Sequence, residues 1–174
     1  TITGNYMPKF TYGFSTEMKY KNLDLAVSLQ GVQGNKIANI FRRYIDNMEG
    51  GNNCQIDALD RWVSEDDPGS GLVVRANRSA TGMNGTTSTW HIEDGSYLRI
   101  KNITLGYTLP KDWLSNVGIN HLRVYLSTQN PFTFTKYSGY NPEVNMKGNS
   151  LTPGIDYGTY PLAKSFVFGL NVTF

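Results

Sequence analysis

Side chains able to do chemistry are few in this chain, and they are scattered. There are two histidines, His91 and His121, and one cysteine, Cys54. Nucleophilic catalysis needs a base held against the nucleophile, and neither histidine sits in a motif that would supply one. Two histidines and a cysteine do not make a zinc pattern. Asp57, Asp60, Glu65, Asp66 and Asp67 form an acidic stretch, but it lacks the alternating spacing of a calcium loop. A solvated loop is the stronger reading there, and a loosely held calcium the weaker one. Gly31 to Gly34 lacks the further glycine and the strand–helix context of a nucleotide-binding turn. The triplets starting at Asn77, Asn84, Asn102 and Asn171 match glycosylation acceptors and read as chance. Cys54 reads as a free thiol in a polar loop. Neither an enzyme nor a resident cofactor is expected.

What remains is recognition chemistry. Trp62, Arg75, Arg78, Trp90, Tyr137, Tyr140, Tyr157 and Tyr160 all fall in two long polar stretches. A flat aromatic ring can stack on the apolar face of a sugar, and arginine can donate to its hydroxyls. The competing role for each residue is to anchor its own loop or a protein interface. Loops held on a rigid scaffold are where recognition concentrates.

The elements that must position these loops follow a period of two, the strand signature. Phe10, Tyr12, Phe14, Thr16, Met18 and Tyr20 share one parity, and Lys9, Thr11, Gly13, Ser15, Glu17 and Lys19 the other. After a Lys21-Asn22 turn, Leu23, Leu25, Val27 and Leu29 alternate with Asp24, Ala26, Ser28 and Gln30. Strands are expected at about 9–20, 23–33, 96–108, 121–130 and 164–174. In the third, Leu98 and Ile100 fall out of phase with Ile103, Leu105 and Tyr107, which a bulge would explain. Pro131 is expected to open a loop. The last strand sets Phe166, Phe168, Leu170, Val172 and Phe174 against Val167, Gly169, Asn171 and Thr173. A short helix is expected near 36–48 from the spacing of Ile37, Ile40, Phe41, Tyr44, Ile45 and Met48, with Gly50-Gly51 as its stop.

Short connections at 21–22 and 109–120 alternate with long ones at 34–95 and 131–163. Strands of about ten residues with one apolar face match a tilted crossing of a bilayer. Short turns on one side and long loops on the other are the mark of an outer-membrane barrel. Tyr12, Tyr20, Tyr107 and Phe174 lie near strand ends, where aromatic girdles belong. A soluble sandwich with one solvated face shows the same alternation, so a carbohydrate-binding β-sandwich stands as the alternative, and a passive porin as a third reading.

Composition narrows the field. The chain has 174 residues, 39% hydrophobic, 13% aromatic and 17% charged, with 18 glycines. High aromatic content and a net charge of +2 argue against disorder. No basic run suggests nucleic acid, one cysteine excludes a disulfide scaffold, and no apolar stretch is long enough for a membrane helix.

Several segments are more specific than alternation. The run from Trp90 through Gly95-Ser96-Tyr97-Leu98-Arg99-Ile100 to Gly106-Tyr107-Thr108-Leu109-Pro110 resembles a signature of the SusC/RagA family, TonB-dependent transporters of the Gram-negative outer membrane. Gln129-Asn130-Pro131-Phe132 through Tyr140-Asn141-Pro142 is similar to its next signature. Pro131 stands there where Leu is common, and Asn141 where Asp is common. Asp156-Tyr157-Gly158-Thr159-Tyr160-Pro161 and the aromatic strand to Phe174 are similar to the family's C-terminus. Leu25-Ala26-Val27-Ser28-Leu29-Gln30-Gly31, Asn39, Leu59-Asp60-Arg61-Trp62 and Arg75-Ala76 also fit, with Val74 where proline is often found.

The resemblance implies an all-β fold: the last five strands of a transmembrane β-barrel of about 22 strands around a plugged lumen. The plug would lie outside this chain, and Thr1 would follow a break in an external loop. It implies import of oligomeric nutrients, glycans first and peptides second, across the bacterial outer membrane. The expected partners are the rest of the transporter, a SusD/RagB-type surface lipoprotein, TonB acting through the plug, and lipid. Phe166, Phe168, Leu170, Val172 and Phe174 would form the lipid-facing last strand that assembly machinery recognises. Trp62, Arg75, Arg78, Trp90, Tyr137, Tyr140 and Tyr157 would be the candidates for ligand or partner contact. Inward-facing Asp24, Ser28, Gln30, Arg123, Tyr125, Ser127, Asn171 and Thr173 would mostly bond plug or water.

Overall fold

A computed structural model of the chain describes residues 3–46, 48, 53–77, 87–115, 118–144 and 153–174. In chain order its elements are β1 (Phe10–Tyr20), β2 (Leu23–Gln33), β3 (Lys36–Asn39), α1 (Ile40–Asp46), β4 (Ile92–Asp94), β5 (Tyr97–Thr108), α2 (Lys111–Leu114), β6 (His121–Thr135), β7 (Ile155–Asp156) and β8 (Ser165–Thr173), with single-turn 3-10 helices at Ile56–Asp60 and Thr89–His91. The chain divides into two compact units. One takes in residues 8–33, 96–135 and 161–174, and the other 1–7, 34–95 and 136–160.

The first unit is a single antiparallel sheet in the order β1-β2-β5-β6-β8. Its registers put the two parities of every strand on opposite faces. On one face lie pairs such as Phe14↔Leu29, Val27↔Ile103 and Leu126↔Phe168. On the other lie Ser15↔Ser28, Ala26↔Thr104 and Thr104↔Ser127. The apolar face is exposed: Phe14 is 58% accessible, Leu126 51% and Phe168 69%. Where glycine interrupts a strand, a neighbouring ring fills the gap. The Tyr12 ring covers Gly31, and the Tyr125 ring covers Gly169, so closely that a Cβ at either would lie within 2.6 Å of it.

Two adjacent bulges account for the phase break in the third strand. Ser28 pairs with Asn102 but Leu29 with Ile100, so Lys101 is an extra residue against β2. Asn102 pairs with Gln129 but Ile100 with Phe132, so β6 carries one more residue at Asn130-Pro131. Beyond the bulges Leu98, Ile100, Phe132 and Phe134 rejoin the apolar face, and Tyr97, Arg99, Thr133 and Thr135 the polar one. The expected loop start at Pro131 is therefore corrected: β6 runs on to Thr135. Asn130 takes a left-handed conformation (φ 49°), and a bulge is where a strand tolerates a proline without a ladder donor.

The second unit has a small sheet in the order β4-β3-β7, with β3 antiparallel to β4 and parallel to β7. Ile37, Ile40 and Tyr137 are buried in it. The expected helix over 36–48 is also corrected. Its first four positions are β3, whose backbone pairs on both sides, and the helix is the shorter α1. Asn39 marks the switch, its side-chain oxygen accepting the Arg42 N–H at 3.0 Å, a helix-capping bond. The glycine stop lies outside the described residues.

Candidate functional site

On the polar face of the five-stranded sheet, Asp24 and Arg123 meet across the intervening strand. Arg123 donates to both carboxylate oxygens, Nε at 2.9 Å and the terminal nitrogen at 2.5 Å. They reach each other because Gly106 lies between them on β5. A Cβ there would stand 2.4 Å from the guanidinium and 2.5 Å from the carboxylate. Arg123 also stacks on Tyr125, 5.1 Å from its ring centre. Ser15–Ser28 and Thr104–Ser127 hydroxyl contacts at 3.2 and 2.8 Å extend this polar surface. Of the eight inward residues expected from sequence, Asp24 and Arg123 are thus brought together as an ion pair.

In the loop unit, chemistry gathers around two carboxylates, one half-buried and one buried. Glu93, on β4, accepts from the Ser138 N–H and hydroxyl, both at 2.8 Å, and from Asn39 at 3.1 Å. Arg42 on α1 adds an ion pair at 3.4 Å. Asp156, on β7, accepts the Tyr137 hydroxyl at 2.5 Å, the Gly158 and Thr159 N–H groups at 2.8 and 2.7 Å, and the Thr159 hydroxyl at 2.9 Å. Burial pushes the Asp156 pKa up, but these four donors outweigh it and hold the carboxyl below its ordinary range. Burial and the neighbouring carboxylate raise the Tyr137 phenol far above its usual value. Both groups therefore keep their neutral-solution charge states: Asp156 ionised, Tyr137 protonated.

A cleft of about 210 Å³ opens in the same unit, between α1, the 3-10 turn at Ile56–Asp60, residues 72–74 and the turn at Thr89–His91. Its walls include Ile45, Ala58, Val73 and Trp90, with Asp46, Asp57 and Arg42 among its polar groups. The Arg42 guanidinium lies over the Trp90 ring, 4.7 Å from the centroid, and its Nε donates to Asp46 at 2.6 Å. His91 is buried in the wall, and its Nδ1 accepts the Ser88 N–H at 3.2 Å. Burial holds the His91 pKa below its usual value, so this imidazole is neutral at neutral pH.

The loop residues singled out from sequence take different positions. Trp90 is half exposed at the cleft. Trp62 is half-buried, and its N–H donates to the Val73 carbonyl at 3.2 Å. Tyr137 is buried against Asp156. Tyr140 is exposed and packs its ring against Phe41, centroids 6.2 Å apart. Tyr157 and Arg75 are exposed, and Arg78 lies outside the described residues. Phe166, Phe168, Leu170 and Val172 lie exposed on one face of β8, followed by exposed Phe174. Sequence reading missed Arg42, Glu93 and His91 as members of a site. Arg42 and Glu93 are 51 positions apart in the chain, and no local spacing links them.

No family model matches the chain. Among relatives, TonB-dependent receptor P3 of Formosa agariphila is 34% identical over 178 residues, covering 99% of this chain and 17% of its own length. TonB-dependent receptor SusC of Bacteroides thetaiotaomicron is 31% identical, covering 93% of this chain and 15% of its own. Among solved structures, the RagAB peptide importer in its closed-closed state superposes with a TM-score of 0.80 at 28% identity, over 99% of this chain and 18% of that one. A structure of the RagAB peptide transporter gives 0.81. The chain spans less than a fifth of the length of these proteins. These similarities of sequence and fold extend over almost the whole chain, and the chain belongs to the SusC/RagA family of TonB-dependent receptors, as a segment of their β-barrel.

Proposed function

We propose that this chain forms part of the wall and the outer loops of a TonB-dependent importer of oligomeric nutrients in the bacterial outer membrane, working beneath a SusD/RagB-type lipoprotein. The observation that carries the reading is the continuous apolar face shared by five antiparallel strands. An eleven-residue strand such as β1, at about 3.4 Å per residue and about 45° of tilt, crosses roughly 26 Å, against an apolar band about 25 Å tall in such barrels. The opposite, polar face suits a water-filled or plugged lumen. A sandwich would bury the apolar parity against a second sheet, yet both members of the Leu126↔Phe168 pair are exposed. The relatives are named as receptors and transporters, which favours transport over catalysis.

The test is fractionation of cells carrying the full-length protein with an affinity tag. Expected are recovery from the outer membrane only with detergent, co-purification of a surface lipoprotein, and TonB-dependent uptake of labelled oligosaccharides or peptides. Recovery in the soluble fraction without detergent would overturn the reading.

A further inference from the structure

We propose that His91 is a pH-sensitive latch: its neutral imidazole holds the Thr89–His91 turn, and with it the Trp90 ring, against α1, and taking up a proton releases both. The inference goes beyond the import reading and does not depend on it, since every group in the latch belongs to the loop unit. Geometry comes first. His91 is 6% exposed. Its Nδ1 accepts the Ser88 N–H at 3.2 Å, and the Ser88 hydroxyl accepts the Trp90 N–H at 3.3 Å. In this reciprocal cap, histidine takes the place usually held by glutamate or glutamine. An imidazole nitrogen accepts only while it carries no proton. With Nδ1 accepting, the hydrogen of the neutral ring sits on Nε2, so an added proton must go to Nδ1. It then sets two donors against each other in the wall of the cleft.

Charge comes second. From α1, Arg42 and Arg43 oppose a positive ring, and Asp46 favours one. Asp46 and Glu93 are both paired with Arg42. Asp57, on the Ile56–Asp60 turn, lines the same cleft, and residues 72–74 bring no charge to it. The Ser88 carbonyl also favours the charged ring, but burial outweighs it and keeps the pKa below its usual value. The closed turn therefore binds fewer protons than an open one. Its hold is complete above the ordinary histidine pKa of about 6.5, and it is lost as pH falls from there through the lowered value. Trp90 is what the latch holds: the Arg42 guanidinium lies 4.7 Å from the centre of its ring, so an open turn parts the two and unmakes one wall of the cleft.

The experiment is amide hydrogen exchange on the full-length protein in detergent, followed at residues 88–92 from pH 7.5 to 5.0 and corrected for the intrinsic exchange rate at each pH. Protection is expected to stay level above about pH 6.5 and to fall below it, by at most roughly tenfold per pH unit for a single proton. Strand β5 is expected to keep its protection throughout. His91→Gln supplies an acceptor that does not titrate, in a residue type that suits this cap, and is expected to keep the turn closed down to pH 5.0. His91→Ala removes the acceptor and is expected to leave the turn open at every pH. A level profile in the unmodified protein overturns the proposal. So does an undiminished acid response in His91→Gln, which would assign the response to another group, or full protection at pH 7.5 in His91→Ala, which would show that the imidazole holds nothing. A protein found outside the outer membrane would sink the import reading and leave this test in force.

Discussion

At the scale of single residues, the loop unit is held by charge buried under hydrogen bonds. Asp156 is 2% exposed and Tyr137 5%, so their contact is sheltered from solvent. Tyr137→Phe removes one donor from a buried anion. Hydrogen bonds to charged groups contribute about 1.5–3 kcal/mol, so residues 156–159 are expected to open more readily by about that amount. Amide exchange on the full-length protein in detergent would measure it, and unchanged protection would show that the phenol does not hold the loop. The carboxyl pKa is lowered by folding, so its contribution is present above the ordinary carboxylate pKa and fades as pH falls through the lowered value. Both residues were visible in sequence as parts of loop motifs. That one would serve the other was not, because nineteen positions separate them and no periodicity connects a loop to itself.

At the scale of elements, the two faces of a strand make opposite demands. Leu126→Arg or Leu170→Arg puts a charge on the apolar face and is expected to cost about 2–4 kcal/mol near the bilayer midplane. Ser127→Arg, one residue on, faces the polar side and is expected to cost far less. Urea titration of the full-length protein folding into vesicles separates the two, and equal costs would contradict a lipid-facing assignment. Strand positions were legible because alternation is a local property: successive side chains leave a strand on opposite sides. The end of β6 and the start of α1 were misplaced for local reasons as well. Pro131 signals a break unless a neighbouring bulge removes the need for its N–H, and Ile37-Ala38 fits a helix stripe unless strands pair on both sides of it.

At the scale of the molecule, β1 and β8 are the edges of an open sheet. Unpaired backbone groups are not tolerated in hydrocarbon, so the sheet needs further strands on both sides. The isolated 174-residue chain is expected to need detergent and to lack a stable monomer in plain buffer. A folded, monodisperse monomer by sedimentation would refute this. The sequence by itself determined the five long strands of the first unit, apart from the end of β6, with their two faces and membrane-spanning length, since each depends on residues two apart. Only the tertiary structure decided that Asp24 meets Arg123 over Gly106, that Arg42 and Trp90 frame a cleft, and that Tyr137 is spent on Asp156. Those contacts join residues from 19 to 99 positions apart, and chain closure over such distances is set by the whole sheet and its loops rather than by any local pattern.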